Sequence, residues 1–210
     1  MHYPKPRLRG WLHLIWFALS LVVGPLTVAQ TAGTTRVVAV GVYVASVSAL
    51  FGTSAIYHRG KWTAEWMRRL QRLDHAMIFS LIAGTATPAF LIAMRGTYGL
   101  VGLGLTWTLA LIAMTTHLAW MSAPERVVGA AFIALGLVAG LGIPAVWIHA
   151  GVAAAVLLLS GGLLYLAGAV SYHRRRPDPY PATFGYHEVF HAYVCAAATC
   201  QYIAIAIFIA

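Results

Sequence analysis

The sequence predicts an all-α integral membrane protein, a bundle of seven transmembrane helices. Three features of the chain support this prediction. Hydrophobic residues make up 60% of the 210 residues, and charged residues only 9%. The hydrophobic residues form several uncharged runs of about 18 residues or more, the length that crosses a bilayer as a helix. Lys and Arg fall mainly in alternate connecting segments, as they do in polytopic membrane proteins.

The uncharged runs give the number of helices. Each is near the roughly 20 residues that a spanning helix needs, and none has the residue-by-residue alternation of a membrane barrel strand. Helices also satisfy every backbone polar group internally, which lipid requires. We predict one domain, residues 1–210, with spans at about 11–32, 37–57, 75–94, 98–118, 126–146, 148–171 and 187–210.

The first span needs to be distinguished from a signal peptide. HYPKPRLRG followed by WLHLIWFALSLVVGPLTVA combines basic residues, an apolar stretch and small residues near Ala29. Because its apolar run is about twice the usual length for a signal peptide, we expect it to remain as a span.

The fifth and sixth spans are separated only by a short turn around Pro144 to Ile148, so a six-span chain would merge them. Of the 14 Lys and Arg residues, only Arg36 and Arg95 fall outside the alternate segments. Merging the two spans would move Arg174–Arg176 to the opposite side of the membrane. The basic residues therefore favour seven spans, with the N-terminus in the cytoplasm and the C-terminus outside.

The formal net charge of +9 does not indicate a nucleic-acid partner, because the basic residues lie between apolar spans and are explained by membrane orientation. Cys195 and Cys200 stand five apart in one apolar run and point to different helix faces. We expect them to stay unpaired as small buried hydrophobic residues.

Two histidines stand four residues apart at the start of the last apolar run, in GYHEVFHAYV. This spacing places His187 and His191 on one helix face, a turn apart, where two imidazoles can reach one metal ion. Alternatively, they are interfacial histidines that form hydrogen bonds with carbonyl groups or water. The spacing alone leaves both interpretations open.

A third ligand would have to come from another helix at the same depth in the membrane. His58, in SAIYH, meets this condition at the cytoplasmic end of the second span; alternatively, it interacts with the last carbonyl groups of its own helix. The other histidines that compete for this role are His13, His75, His117 and His173.

Asp74, in RLDHAMIFSLIAG, is the acid nearest to the start of the third span. It is either the N-cap of that helix or a carboxylate that orients a metal-bound water and takes its proton. Ser54 lies one turn before His58, where its hydroxyl can contact such a water or a backbone carbonyl. Glu188 points about 100° away from His187, so we predict a favourable first-turn charge or a packing partner.

Three motifs occur along the chain in a fixed order: Ser54-x-x-x-His58, Asp74 and His187-x-x-x-His191. This order is found in the hemolysin III group of the progestin and adipoQ receptor family, and the chain resembles that group over essentially its whole length. The resemblance implies a seven-helix bundle with an inward N-terminus. It also implies Zn²⁺ held by His58, His187 and His191, with Asp74 on the zinc-bound water and Ser54 nearby. Three histidines plus a water fit a catalytic zinc, because a structural site closes its fourth position with protein.

The chain departs from the family pattern in two places. Many relatives have an acidic, Asn-containing stretch before the first span, where this chain reads KPRLRGWLHLIWF. The family also usually has an aromatic residue near the Thr-Pro of the third span, where this chain has Thr85-Ala-Thr87-Pro88. We expect Pro88 to bend or locally loosen that helix.

The resemblance extends to ceramidase-type membrane hydrolases and so implies a zinc-dependent hydrolase of a lipid amide or similar acyl bond. Asp74 would then accept the proton of the attacking water, and Ser54 would stabilise the oxyanion. The alternatives are a pore-forming cytolysin or channel and a lipid receptor or sensor with a structural zinc. A channel fits less well, because the ionisable residues cluster at one face of the membrane. We expect membrane lipid as substrate or ligand and a bacterial inner (plasma) membrane location, and we leave a homo-oligomer open.

Overall fold

The computed structural model describes residues 5–120 and 123–210, apart from the side chain of Glu125, and within this part of the chain the regular structure is helical. Two π-helical turns, Ala89–Met94 and Ala204–Ile209, extend the third and the last α-helix. The α-helices are α1 Trp11–Gln30, α2 Thr34–Arg59, α3 Ala64–Pro88, α4 Gly96–Ala119, α5 Glu125–Gly140, α6 Ile143–Ala150, α7 Val152–Arg174 and α8 Tyr186–Ile203.

Seven segments of the described chain are long and apolar enough to cross a membrane, which confirms the predicted fold class. The helices α5 and α6 together form one of these segments, and each π-helical turn continues its α-helix across the bilayer. Large apolar side chains such as Leu137 and Ile148 are 71% and 74% exposed. Such exposure is the expected surface of a helix that faces lipid, so the chain is an integral multi-pass membrane protein.

The third helix begins at Ala64, eleven residues before the predicted start of the span at residue 75. Thr63 caps it by accepting a hydrogen bond from the backbone N–H of Trp66, and Arg69 pairs with Glu65 one turn earlier. The charged residues between Ala64 and residue 75 delay the start of the uncharged run. They do not delay the start of the helix, because a helix can extend beyond the bilayer. Asp74 therefore lies inside α3, and its interpretation as an N-cap is wrong.

The turn that the sequence predicts around Pro144 to Ile148, between the fifth and sixth spans, is wrong, because these residues lie within α6. Pro144 lies in the first turn of α6, a position where the missing N–H costs no helical hydrogen bond. The chain reverses instead at Gly151, whose φ of +91° is a backbone conformation that glycine adopts readily. The count of seven spans is unaffected by this shift.

Pro88 loosens the third span as expected. It lies buried at the end of α3 and is followed directly by the π-helical turn, in which the N–H of Arg95 donates to the carbonyl of Phe90 five residues earlier. Proline lacks the N–H that continues an α-helical ladder, and wider hydrogen bonds are one way to satisfy the freed backbone groups.

The two most extensive helix–helix contacts are between α2 and α3 and between α7 and α8. A Cβ atom on Gly84 of α3 would lie only 2.0 Å from the Ser46 hydroxyl of α2, so glycine permits this close approach. By contrast, a Cβ on Gly136 of α5 would meet no atom of the described residues within 4 Å, so no such close approach occurs at this glycine. Close packing of α2 on α3 brings His58 and Asp74 to the same end of the bundle.

Candidate metal centre

Three histidines from two helices converge at the end of the bundle where α2 ends and α8 begins. His58 lies in the last turn of α2, while His187 and His191 occupy the first two turns of α8. One ring nitrogen from each lies within 4.8 Å of the others, and the Nε2 atoms of His58 and His187 are 3.3 Å apart. As predicted, His187 and His191 share one face of α8, and His58 lies next to both of them.

The geometry and chemistry of this group fit a divalent metal such as zinc. Two nitrogens that bind one tetrahedral ion at about 2.0–2.1 Å lie about 3.3–3.4 Å apart, and neutral imidazole is a preferred zinc ligand. His191 is 2% exposed, and its Nδ1 has no hydrogen-bond partner among the described residues. Within residues 5–120 and 123–210, no cysteine or carboxylate joins the three histidines as a fourth ligand.

Asp74 faces this group from α3. Its Oδ2 lies 3.7 Å from Nε2 of His58, and its side chain is 14% exposed. Because Asp74 lies well inside α3, its carboxyl group is free of the capping role that the sequence left open. It stands beside His58, at the edge of the group of three histidines.

Ser54 lies one turn before His58 on α2 and is 1% exposed. Its Oγ is 2.7 Å from Nδ1 of His13, and His58, one turn later on the same helix, lies 3.7 Å from Asp74. The predicted proximity of Ser54 to the site is thus present in the structure, and its hydrogen-bond partner is His13.

His13 is a site residue whose role the sequence did not reveal. It was one of several competitors for the place of His58, yet its ring stacks on the ring of His191, with centroids 3.7 Å apart and planes at 11°. The available signal was a single imidazole near the start of an apolar run, in WLHLIW, at the same membrane depth as the other candidates. That signal does not distinguish it from any interfacial histidine.

The remaining histidines lie outside the group. His75 and His117 pack against each other, with ring centroids 5.8 Å apart, on α3 and α4. His173 is exposed near the end of α7, and His149 lies on α6. His2 lies outside the described residues.

The entry segment, residues 5–10 before α1, covers this end of the bundle. The N–H groups of Arg7 and Leu8 donate to the carbonyls of Ala182 and Thr183, each over 3.1 Å. The Lys5 ammonium donates to the backbone carbonyl of His58, and burial, together with nearby arginines, lowers the pKa of Lys5. The chain segment that departs from the family pattern is therefore in direct contact with a candidate ligand.

Glu188 confirms the prediction of a first-turn acid and adds an ion pair. Its side chain is 1% exposed, and one carboxylate oxygen accepts the N–H of Gly185, which caps α8. The other oxygen accepts a hydrogen bond from the Arg9 guanidinium. Glu188 thus ties the entry segment to the helix that carries two of the histidines.

Gly10 lies directly against His58. Its φ of +80° is in the left-handed region, and a Cβ at this position would lie 2.6 Å from Cβ of His58. Both the backbone conformation and the close approach require glycine, so the entry segment and the end of α2 fit together at this residue.

Seven membrane-length helical segments of the described chain and a group of three histidines, two of them buried, define an integral membrane protein with a candidate metal centre at one end of its bundle. Residues 1–202 match the family described as Haemolysin-III related, and the chain belongs to that family. This confirms the resemblance to the hemolysin III group.

Two relatives from Bacillus illustrate the similarity. The chain is 33% identical to Hemolysin-3 of Bacillus cereus over 100 residues, which are 48% of this chain and 46% of that protein. It is 26% identical to the Hemolysin-3 homolog of Bacillus subtilis (strain 168) over 133 residues, which are 63% of this chain and 60% of that protein. The matched part therefore spans about half to three fifths of each relative.

Proposed function

We propose that the protein is a zinc-dependent hydrolase of a lipid amide or a related acyl bond in the membrane. The observation that carries this proposal is the convergence of His58, His187 and His191, with the Asp74 carboxylate 3.7 Å from one of them and no fourth protein ligand among the described residues. Three protein ligands with an open position are typical of catalytic zinc sites. A structural zinc would normally have four protein ligands.

The proposed roles follow from the side chains present. The three histidines would hold the ion as neutral imidazoles. When bound, zinc would supply Lewis acidity, which polarises an acyl carbonyl and lowers the pKa of water. Asp74 would accept the proton of the attacking water at its carboxylate and deliver it to the leaving group.

Ser54 has a positioning role in this proposal. The resemblance implies that its hydroxyl stabilises an oxyanion, whereas in the structure the hydroxyl is engaged by His13 Nδ1. We propose instead that Ser54 orients the Asp74 carboxylate, so its removal should affect the proton transfer of Asp74.

The substrate would be a membrane lipid that reaches the site from the bilayer. The bundle exposes an apolar surface to lipid, and the site lies at the end where α2 and α8 meet. We further propose that this end faces the cytoplasm, because Lys and Arg concentrate in the segments on that side, and that the protein resides in a bacterial plasma membrane.

The test uses purified protein in lipid nanodiscs with long-chain N-acyl amides and acyl esters, and it measures the release of free fatty acid. Asp74→Asn should keep its zinc but lower turnover by about 100-fold or more, the usual contribution of general acid–base catalysis. His173→Gln, at an exposed histidine outside the group, is the matched control. Full turnover in Asp74→Asn, or no fatty acid release by the zinc-loaded wild type, would refute the hydrolase proposal.

A second candidate, membrane permeabilisation, is favoured by the names of the Bacillus relatives. It predicts conductance in planar bilayers that persists in His58→Ala. Against it, the candidate site is confined to one end of the bundle, whereas a conducting path needs polar groups across the membrane. A lipid sensor with the same zinc would bind the lipid in nanodiscs without releasing fatty acid.

A further inference from the structure

His13 is a buried imidazole that stands beside the three candidate ligands but is not one of them. It is 3% exposed, and its neighbours are the Ser54 hydroxyl, the stacked ring of His191 and the edge-on ring of Phe51. A polar ring in such a place costs free energy unless its nitrogen atoms are satisfied. The contacts of the two ring nitrogens and of the ring face indicate the role of His13 in the site.

The hydrogen bonds around Ser54 indicate which nitrogen of His13 carries the hydrogen. Its hydroxyl has one hydrogen to donate, and an ionised Asp74 can only accept. When Ser54 donates to Asp74, its oxygen must accept from His13, whose Nδ1 is 2.7 Å away. His13 then carries its hydrogen on Nδ1, which gives a chain from His13 through Ser54 to Asp74.

The other ring nitrogen of His13, Nε2, indicates the tautomer independently. Nε2 of His13 is buried and has no hydrogen-bond partner within the described part of the chain. Buried N–H groups without a partner are rarer than buried acceptors without one. The tautomer with hydrogen on Nδ1 leaves only a lone pair on Nε2, so both observations indicate the same tautomer.

The ring itself has a second contact of consequence. With centroids 3.7 Å apart and planes at 11°, His13 covers one face of His191. His13 therefore contacts a candidate ligand, His191, through its ring face and the Ser54 hydroxyl through its Nδ1.

We propose that His13 is a positioning residue of the site, which holds the Ser54 hydroxyl toward Asp74 through its Nδ1–H and fixes the ring plane of His191 by stacking. This inference rests on the proposed hydrolase function and assigns to the entry of α1 a role in proton transfer. His13 acts through Ser54 and Asp74.

Three substitutions separate its two contacts. His13→Phe keeps a stacking ring but removes Nδ1–H, so zinc content should hold while kcat falls about 10- to 100-fold, with KM little changed. His13→Ala removes both contacts, so zinc content should fall as well. His13→Asn places an amide N–H near the position of Nδ1 and should restore part of kcat.

The decisive readout is the tautomer of His13 in the wild-type protein, measured by ¹⁵N NMR of histidine-labelled protein in bilayers and assigned by the signal lost in His13→Phe. We expect hydrogen on Nδ1, and we expect Ser54→Ala to reduce that preference. Hydrogen on Nε2 in the wild type, or an unchanged kcat in His13→Phe, would overturn the inference.

The outcome is separable from that of the proposed function, because the NMR readout does not depend on turnover. An Nδ1–H tautomer in a protein that releases no fatty acid would refute the hydrolase and leave the hydrogen-bond chain standing. Turnover that is unaffected by His13→Phe would refute the positioning role and leave the hydrolase standing.

Discussion

The Nε2 atoms of His58 and His187 lie 3.3 Å apart, although 129 residues separate them in sequence. No local feature of either helix requires this contact. It arises because the end of α2 and the start of α8 meet at one end of the bundle, where the entry segment packs over both.

The pair between Arg9 and Glu188 should stabilise the protein far more than a surface pair does. Arg9→Leu leaves the Glu188 carboxylate, which is 1% exposed, without its cation, and breaking a buried pair costs about 3–5 kcal/mol. Arg69→Leu breaks the pair with Glu65, whose side chains are 61% and 64% exposed, and should cost less than about 1 kcal/mol. Thermal unfolding in detergent compares the two variants.

The double variant Arg9→Leu/Glu188→Leu provides the control for this prediction, since replacing a whole buried pair by apolar side chains is often close to neutral. It should recover part of the lost stability. Equal melting temperatures for Arg9→Leu and Arg69→Leu would show that the entry segment is not held by this pair.

Gly10→Ala should reduce zinc binding as well as stability. A Cβ there would lie 2.6 Å from Cβ of His58, so either the entry segment or the end of α2 must shift. Gly33 is the control, because its φ of +90° is also a conformation that L side chains rarely adopt, but a Cβ there meets no atom of the described residues within 4 Å. Gly33→Ala should lose about 1–3 kcal/mol of stability and keep its zinc, whereas Gly10→Ala should lose both stability and zinc. Equal zinc content in the two variants would contradict the contact.

Gly84→Ala should disturb the packing of α2 on α3, which brings Asp74 to His58. The added methyl group would meet the Ser46 hydroxyl at 2.0 Å, so the two helices must separate or tilt. Gly136→Ala adds the same group where no atom of the described residues lies within 4 Å, and it should be neutral or stabilising by about 0.5–1 kcal/mol. Melting temperatures in detergent are the measurement, and a neutral Gly84→Ala would argue against tight packing of this pair.

The helix count and the pairing of His187 with His191 could be predicted from the sequence because both depend on short-range patterns, whereas His58 was singled out from its competitors only by the resemblance to the hemolysin III group. Uncharged runs of membrane length define the spans, and the spacing of His187 and His191 defines one helix face. The start of α3 could not be predicted in this way. The charges after Ala64 mark where the apolar run begins, whereas the helix is set by backbone hydrogen bonds that continue through them.

The role of His13 and the pair of Arg9 with Glu188 depend on which helices become neighbours. His13 lies on α1 and its partners Ser54 and His191 lie on α2 and α8, so no spacing rule within a helix connects them. The departure of the entry segment from the family pattern marked the region. Only the fold reveals that this segment covers the candidate site.

The proposed orientation predicts which loops react with a membrane-impermeant thiol reagent. In a background with Cys195 and Cys200 replaced by Ala, Thr97→Cys should be labelled in intact cells, and Lys61→Cys only after lysis. Both positions are exposed and lie on opposite sides of the third span, Lys61 just before α3 and Thr97 in the first turn of α4. The reverse pattern would place the three histidines on the outer face of the membrane.

The central claim is that His58, His187 and His191 form one metal centre. Elemental analysis of the purified protein tests it most directly, with His191→Ala as the ligand variant and His173→Gln as the control at an exposed histidine outside the group. We predict about one zinc per chain in the wild type and in His173→Gln, and little or none in His191→Ala. A wild-type protein without metal, or a His191→Ala variant with full zinc content, would contradict the claim.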